Sequence, residues 1–243
     1  MREDGYDDTF WAEVEEASAA HAAMEAERRR LDAVVEWRRT CPSEFVHADW
    51  NSVLARDPSH PPAVVAPLEA WCTSPGPSLV LLGSLGAGKT HLACAVAHRL
   101  ASTFGTWATF ISVEALMASL QEGFRSSEPS TGAPTLSTYS EPGLLVLDDL
   151  GSGRLMPTEW EAKVINELFN RRWSSGRPTV VTSNLSMAAT GPGEASDPGH
   201  SAIALDLRSY VGERTYDRLR DGSAIVLVGE SLRGRRAAAG AAS

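Results

Sequence analysis

The sequence predicts an α/β fold in which a five-stranded parallel sheet lies between two layers of helices. Two observations carry this prediction. Short, wholly apolar runs recur along the chain, as expected of strands buried on both faces, and residues with helical spacing lie between them. A glycine-rich segment, Gly83–Thr90, joins the run Leu79–Leu82 to a helical segment that follows it.

The composition fits one α/β domain with an extension, because 43% of the 243 residues are hydrophobic and 22% are charged. No apolar run approaches the roughly 20 residues of a membrane span. The acidic start, Met1–Asp8, resembles neither a secretory signal nor a transit peptide. Cys41, Cys72 and Cys94 lack C-x-x-C spacing, which indicates a reducing compartment and no zinc site. We therefore expect a cytoplasmic protein that contacts no membrane.

The net charge of −9 argues against a broad nucleic-acid-binding surface. Residues 1–40 hold 11 acidic and 6 basic side chains and carry −5, so both parts of the chain are acidic. Any contact with DNA must then be local, or must depend on assembly into a larger ring.

Residues 9–39 are predicted to form one long helix. Positions spaced four and three apart form a seam that is typical of helices packing on another helix. The seam consists of Phe10, Val14, Ala17, His21, Met24, Arg28, Leu31 and Val35. Two interpretations stay open: a docking arm for a partner protein, or a helix folded back on its own domain. Pro42 ends the helix, so residues 1–42 are predicted as the arm.

The segment before the first strand is predicted to be irregular, apart from a short helix at about Pro62–Trp71. The base of a bound nucleotide often lies against such a segment. Phe45 or Trp50 could stack on that base, although core packing is the favoured role for both.

The loop Gly83–Thr90 matches the phosphate-binding pattern G-x-x-x-x-G-K-[ST] at every required position. Its glycines let backbone N–H groups approach phosphate oxygens, and the helix that follows adds its positive end. We expect Lys89 to bridge the outer phosphates and Thr90 to ligate magnesium. Lysine occurs only at positions 89 and 163, so its use here indicates a need for a compact charge.

Two carboxylates follow a third apolar run and predict a second part of the same site. Residues 107–111 form the second predicted strand and residues 113–120 an amphipathic helix, followed by a loop at 126–142. The run Leu144–Leu147 then delivers Asp148 and Asp149 at a strand end, where α/β sheets place ligands. Asp148 is expected to hold the magnesium, and Asp149 to polarise the attacking water.

The remaining elements complete the sheet. A capping box, Thr158–Glu161, opens a helix, and the fourth strand, Thr179–Thr182, leads to Asn184, whose side chain could meet the γ-phosphate. After a loop at 186–204, residues 206–220 are predicted as one helix and residues 224–228 as the fifth strand. The segment 229–243 is too short for the helical lid that many related ATPases carry.

These parts, taken in order, resemble the DnaC/IstB family of AAA+ ATPases over about residues 43–230. The resemblance rests on Gly83–Thr90 with His91-Leu92-Ala93, Leu147–Gly151, Thr182–Leu185 and the stretch Gly212–Leu219, which reads G-E-R-T-Y-D-R-L. It implies an AAA+ P-loop domain at 43–230, without a C-terminal helical lid, and a flexible tail at 231–243. It also implies a bacterial or phage helicase loader that binds ATP and Mg²⁺, grips a replicative DNA helicase, holds single-stranded DNA and self-associates through the ATP site.

The resemblance assigns roles to particular residues. The nucleotide-binding set is Gly83, Leu85, Gly86, Ala87, Gly88, Lys89, Thr90 and His91, the metal ligands are Thr90 and Asp148, and the catalytic set is Asp149, Asn184, Arg218 and Arg214. Arg218 is the expected finger toward the neighbouring subunit's γ-phosphate, and Arg214 is a second candidate. The alternative for both arginines is a salt bridge to Glu213 or Asp217 on the helix face. Many AAA+ proteins have Asp-Glu where this chain has Asp-Asp, which predicts slow, assembly-dependent hydrolysis.

Three other functions stay open at this point. A transposition helper of the same family would act with a transposase instead of a helicase. A P-loop kinase would phosphorylate a small molecule with the same loop. A scaffold would bind nucleotide without turning it over.

Overall fold

The computed structural model describes residues 8–55, 61–125, 134–152, 156–187 and 206–228. The strands are β1 (Ser78–Gly83), β2 (Ala108–Ser112), β3 (Leu144–Leu150), β4 (Thr179–Ser183) and β5 (Ser223–Leu227). The helices are α1 (Asp8–Thr40), α2 (Trp50–Leu54), α3 (Pro62–Thr73), α4 (Lys89–Phe104), α5 (Val113–Arg125), α6 (Leu136–Ser140), α7 (Glu159–Ser174), α8 (Leu207–Val211) and α9 (Glu213–Arg220), and a 3-10 turn lies at Ser43–Phe45.

The strands form one five-stranded sheet in the order β2-β3-β4-β1-β5, and every pairing is parallel. The prediction of a five-stranded parallel sheet is confirmed. Because β1 lies between β4 and β5, and β3 is next to β4, the carboxyl ends of β1, β3 and β4 meet at one edge. Open parallel sheets bind ligands at this edge.

Alternate residues of the central strand are buried in two different layers. Leu79 and Leu81 pack in a core with α1 to α4, whereas Val80 and Leu82 pack in a core with α5 and α7 to α9. The three-layer α/β/α arrangement is therefore confirmed. The three cysteines lie in the first of these cores as free, buried thiols.

Helix α1 is divided between the core and the surface. It spans 33 residues, or about 50 Å at 1.5 Å per residue. Near its end, Ala33 and Trp37 are buried in the core beside Cys41, whereas Met24 and Leu31 on the predicted seam are 73% and 59% exposed. Although α1 is the longest of the described helices, no helix in the described ranges is both long and apolar enough to cross a membrane.

The structure corrects the predicted elements at three places. The single helix expected over 206–220 is broken at Gly212, whose φ of 78° ends α8 before α9 begins. Reciprocal capping by Asp49 and Ser52 adds the short helix α2 to a segment predicted to be irregular. A similar cap at Thr135 opens α6 inside the predicted loop 126–142. Residues 126–133 and 188–204 of the two predicted loops, and the tail at 229–243, lie outside the described residues.

Candidate nucleotide-binding site

The phosphate-loop motif lies between the end of β1 and the start of α4. Gly86 and Gly88 have φ values of 83° and 91°, in the left-handed region that side chains other than glycine rarely adopt. Gly88 is the N-cap of α4 and provides no side chain to cap the first amides of that helix. The loop therefore combines a glycine backbone with an open helix N-terminus, which is the arrangement that binds phosphate.

Lys89 lies over this loop and is only 6% exposed. Its Nζ atom donates to the carbonyl oxygens of Gly83 at 3.0 Å and Ser84 at 2.9 Å, and to Asn184 Oδ1 at 2.6 Å. These three acceptors fix the ammonium in position at the loop. The structure thus brings Lys89 and Asn184 together, although they are 95 residues apart in the chain.

Thr90 and Asp148 form the second contact between the loop and the sheet. Asp148 Oδ1 accepts from Thr90 Oγ1 at 3.0 Å and from Thr182 Oγ1 at 2.6 Å. Burial raises the pKa of Asp148, the two hydroxyl donors oppose that shift, and the charge of Asp149 adds to it. A carboxylate that is costly to ionise beside a hydroxyl oxygen suits a hard cation, because a bound cation would stabilise the charged form.

The Thr90 hydroxyl oxygen and the Asp148 carboxylate oxygen are suitable ligands for Mg²⁺. This ion prefers carboxylate and hydroxyl oxygens and keeps several waters or phosphate oxygens in its shell, so few protein ligands are needed. In the described ranges, no group of three or more His, Cys, Asp or Glu side chains forms a metal cage. Thr90 and Asp148, which are in contact beside the loop, are side chains that could hold Mg²⁺ beside a triphosphate.

An irregularity between β3 and β4 turns the two adjacent carboxylates in different directions. The strand register shifts between Leu147 and Leu150, and Asp149 has a φ of 63°. The Asp149 N–H donates to Thr182 Oγ1 at 2.9 Å, while its side chain is exposed. Asp148 thus contacts Thr90, whereas the Asp149 carboxylate is exposed to solvent.

Thr182 is a site residue that the motif analysis missed. Its hydroxyl accepts from the backbone of Asp149 and donates to Asp148, so it holds both acidic residues in place. The signal was the segment Thr182-Ser183-Asn184 at the end of β4, from which only Asn184 was selected. The role of Thr182 depends on the shift in strand register beside it, and no sequence pattern predicts that shift.

Other members of the predicted nucleotide set have different surroundings. Leu85 is 62% exposed and Ala87 is buried. Because both side chains are apolar, these residues can contribute only backbone groups to a polar ligand. The His91 side chain is directed to α2, where Nε2 lies 2.9 Å from Ser52 Oγ. Trp50 packs against the core and carries the Arg99 guanidinium 4.3 Å from its ring centroid, in line with the packing role favoured for it.

The two candidate finger arginines lie away from this loop, on α9. Arg218 Nη2 donates to Asn170 Oδ1 on α7 at 2.7 Å, and within the described residues the Arg214 guanidinium forms no hydrogen bond or ion pair. Glu213 is paired with Arg208 at 2.6 Å. The helix-face salt bridges considered for Arg214 and Arg218 are therefore absent from the part of the chain that the structure describes.

The position of Arg218 can be fixed relative to β1. Its neighbour Leu219 accepts a hydrogen bond through its carbonyl oxygen from Ser78 Oγ, at the start of β1, at 2.8 Å. The phosphate loop begins at the other end of β1, about 17 Å away at the usual rise of a strand. Arg218 therefore lies toward the opposite edge of the sheet from the loop of its own chain. It lines a cleft of about 600 Å³ between α7 and α9.

Comparison with known proteins gives relatives by sequence. The family of IstB-like ATP-binding proteins matches residues 63–193, more than half of the chain. The replicative helicase loader DnaC of Escherichia coli (strain K12) is 29% identical over 151 residues, which are 62% of this chain and 53% of DnaC. An ATP-binding protein in an insertion sequence of Mycobacterium tuberculosis (strain ATCC 25618 / H37Rv) is 32% identical over 130 residues, 53% of this chain and 49% of that protein. The chain spans about half the length of these curated relatives.

Solved structures share the fold. The crystal structure of the DnaC helicase loader matches with a TM-score of 0.60 at 22% identity, over 77% of this chain and 100% of that chain. The chain therefore shares the α/β fold of that protein, in line with the parallel sheet between helices that the sequence predicted.

Proposed function

This chain belongs to the family of IstB-like ATP-binding proteins, and we propose that it is an ATP-driven loader that docks on a replicative helicase and places it on single-stranded DNA. The observation that carries the ATP-dependent part is the contact between Thr90 and Asp148 beside the buried Lys89. The relative DnaC, a replicative helicase loader, supports the choice of partner. Family membership also favours this function over a small-molecule kinase.

The nucleotide would be held mainly by the backbone of Gly83–Thr90. Lys89 would contact the outer phosphate oxygens, which are strong partners for an ammonium because they are charged. Thr90 and Asp148 hold Mg²⁺, which when bound neutralises charge on the phosphates. Asn184, released from Lys89, contacts the γ-phosphate and the attacking water.

Hydrolysis to ADP and phosphate would require a positioned water. Asp149 is the residue we assign to this step, because its side chain is exposed while its backbone is fixed by Thr182. Aspartate is one methylene shorter than the glutamate that many AAA+ proteins use here. Slow turnover follows, and slow turnover suits a switch between two assemblies better than a motor.

The neighbouring subunit would complete the site. Arg218 lies far from the loop of its own chain, which supports a role at the nucleotide of a second copy, with Arg214 beside it. A planar, permanently charged guanidinium can stabilise charge that develops on phosphate oxygens. Self-association through the ATP site is thus part of the proposal, and the ATPase domain is assigned to residues 43–230.

The arm, residues 1–42, is the proposed contact with the helicase. A stripe of exposed apolar side chains runs along α1 and consists of Phe10, Val14, Met24, Leu31 and Val35. Apolar side chains on one stripe of a projecting helix are typical of helix-in-groove recognition. The end of α1 is anchored in the core through Trp37, which connects a docked partner directly to the ATPase domain.

The choice of partner can be tested by co-purification of the full-length chain with a replicative helicase and, separately, with a transposase. We expect the helicase to co-purify, and the double variant Met24→Asp/Leu31→Asp to lose it because two charges enter the apolar stripe. Ala12→Asp/Ala19→Asp, on exposed positions outside the stripe, is the matched control.

Two outcomes would contradict the proposal. Retention of the transposase and not the helicase would instead favour a transposition helper, which the insertion-sequence relative supports. Equal retention of the helicase by both double variants would remove the stripe as the docking surface.

A further inference from the structure

Arg218 is held against α7 by two neutral groups. Its Nη2 atom donates to Asn170 Oδ1 at 2.7 Å, and its guanidinium carbon lies 5.3 Å from the centroid of the Trp173 ring. Asn170 and Trp173 are three residues apart in the last turns of α7, so they form one surface beneath the guanidinium. The Arg218 Nη1 atom is buried and has no partner in the described part of the chain.

This environment fixes the direction of the guanidinium but leaves its charge available. An amide oxygen and an aromatic face attract a cation more weakly than a carboxylate does, and neither neutralises it. A buried N–H without a partner is unfavourable, which favours transfer of the group to a better acceptor. Phosphate oxygens are such acceptors.

The cleft beside Arg218 has room and charge for such an acceptor. It measures about 600 Å³ and is also lined by Lys163, Arg214 and Asn166. Two carboxylates line it as well, Glu167 and Glu213, and both are paired with arginines outside the cleft lining, Arg171 and Arg208. The Lys163 ammonium is paired with Glu159 at 2.7 Å, whereas Arg214 has no hydrogen-bond or ion-pair partner among the described residues. A terminal phosphate presented by a second copy would therefore meet two arginines, of which only Arg218 is oriented by α7.

We propose that Asn170 and Trp173 are positioning residues for Arg218, which they hold ready to contact the terminal phosphate bound by a neighbouring subunit. The inference rests on the proposed function, because it requires a second copy to present the phosphate. Beyond the proposed function, we infer that two residues of α7 control how strongly Arg218 contacts the neighbour's phosphate. These residues lie outside the stretch Gly212–Leu219 that contains Arg218. A neutral residue is needed at position 170, since a carboxylate would retain Arg218 by a charged, bidentate contact.

The test separates the subunit that donates the arginine from the subunit that binds ATP. A donor carries Lys89→Ala and keeps Arg218, whereas an acceptor carries Arg218→Ala and keeps its own loop. Each is expected to hydrolyse ATP poorly alone, and their mixture is expected to recover activity. Asn170→Asp is then added either to the donor or to the acceptor, and ATP hydrolysis of each mixture is measured with saturating ATP·Mg.

We expect Asn170→Asp to lower the rate at least about tenfold when it is in the donor, the ratio that 1.4 kcal/mol gives, and to leave the rate within about twofold in the acceptor. Trp173→Leu in the donor should also lower the rate, and Trp173→Phe should restore most of it because a ring face remains. Ser174→Ala is the control on the same helix, since the Ser174 side chain is exposed and does not line the cleft.

Three results would overturn the inference. Equal losses from Asn170→Asp in donor and acceptor would indicate a general structural defect, and no loss in the donor would show that α7 does not act on Arg218. If the unmodified donor and acceptor fail to recover activity together, then the trans contact of the proposed function is itself wrong. This last result can be told apart from a failure of the α7 inference, because it appears before any residue of α7 is changed.

Discussion

Asp148 is a residue whose ionisation is unfavourable until a cation arrives. Burial raises its pKa and the neighbouring Asp149 adds to the shift, although Thr90 and Thr182 donate to the carboxylate. Residues that bind charged ligands commonly reduce the stability of the ligand-free fold in this way. The raised pKa of Asp148 is consistent with the proposed role of this carboxylate as a metal ligand.

Asp148→Asn should stabilise the metal-free protein. The amide keeps an oxygen that accepts from Thr90 and Thr182 but removes the buried charge, so we expect the melting temperature at pH 7 to rise by about 3 °C, the shift that about 1 kcal/mol gives at this size. Calorimetry in chelating buffer measures this. Asp149→Asn, at an exposed side chain, is the comparison and should raise the melting temperature by less, because the Asp149 charge contributes less than burial to the shift at Asp148.

The pH dependence of the same variant has a defined sign. Because the pKa of Asp148 is raised in the folded protein, its ionised form destabilises the fold at neutral pH. That cost begins to fall when the pH drops below the raised pKa and is gone below the pKa of the unfolded chain. The melting temperatures of wild type and Asp148→Asn should therefore converge in acid. A difference that widens toward acid would contradict the assignment.

Most residues of the candidate nucleotide site could be proposed from the sequence, because a phosphate loop needs fixed residue types at fixed spacing. Lys89, Thr90 and Asp148 were identified from the pattern, and the structure brings them together. Thr182 could not be identified, since its role depends on the register shift between Leu147 and Leu150, which no local pattern encodes. The direction of the His91 side chain likewise depends on α2, which follows from a cap and not from apolar periodicity.

At the scale of elements, α7 is fixed to the sheet by a buried arginine. Arg172 is 1% exposed and donates to three carbonyl oxygens of the segment 139–142, to the Pro178 carbonyl and to Thr179 Oγ1. Burial lowers the pKa of Arg172 to about 9. Because this value still lies above neutral pH, the guanidinium remains cationic. One side chain thus joins α6, α7 and the start of β4.

Arg172→Met should destabilise the protein by about 3–5 kcal/mol, because it leaves several buried acceptors without donors. Urea denaturation measures the loss. Arg171→Met, one residue earlier on the exposed face of α7, is the control and should cost less than about 0.5 kcal/mol. Similar small losses for both variants would show that the five contacts of Arg172 contribute little.

Helix α1 shows why elements are easier to predict than their partners. The spacing from Phe10 to Val35 predicts a helix, and the structure has one at Asp8–Thr40. Which part is packed depends on a different face, where Ala33 and Trp37 meet the core. That face is short and carries a single large side chain. In the sequence, the longer seam from Phe10 to Val35 gives the stronger pattern, so the packed face is not recognised.

At the scale of the whole molecule, we propose that two copies of the chain together form one ATP-hydrolysing site. The five strands could be predicted because each is a distinct apolar run, whereas the contact of Arg218 with Asn170 joins residues 48 apart on two helices. No spacing rule connects them. The sequence therefore indicated that Arg218 acts on a neighbour only through a family resemblance, and the structure adds its distance from the loop.

Arg218→Ala should leave ATP binding intact and remove the rise of hydrolysis with protein concentration. Arginine fingers in other phosphoryl-transfer systems supply a factor of about 10³ or more, and we expect a loss of at least about tenfold here because Asp149 already limits turnover. Steady-state ATPase assays over a concentration series measure this. Normal hydrolysis by the variant at high protein concentration would refute the finger assignment.

The proposed function depends on binding of ATP with Mg²⁺ by Gly83–Thr90 and Asp148. Isothermal titration of the full-length chain with ATP·Mg tests it most directly, with Lys89→Ala as the comparison, since Lys89 is the buried cation above the loop. The account predicts saturable binding at one site per chain in the wild type and none in Lys89→Ala. Absence of saturable heat in the wild type, or equal binding by both proteins, would contradict it.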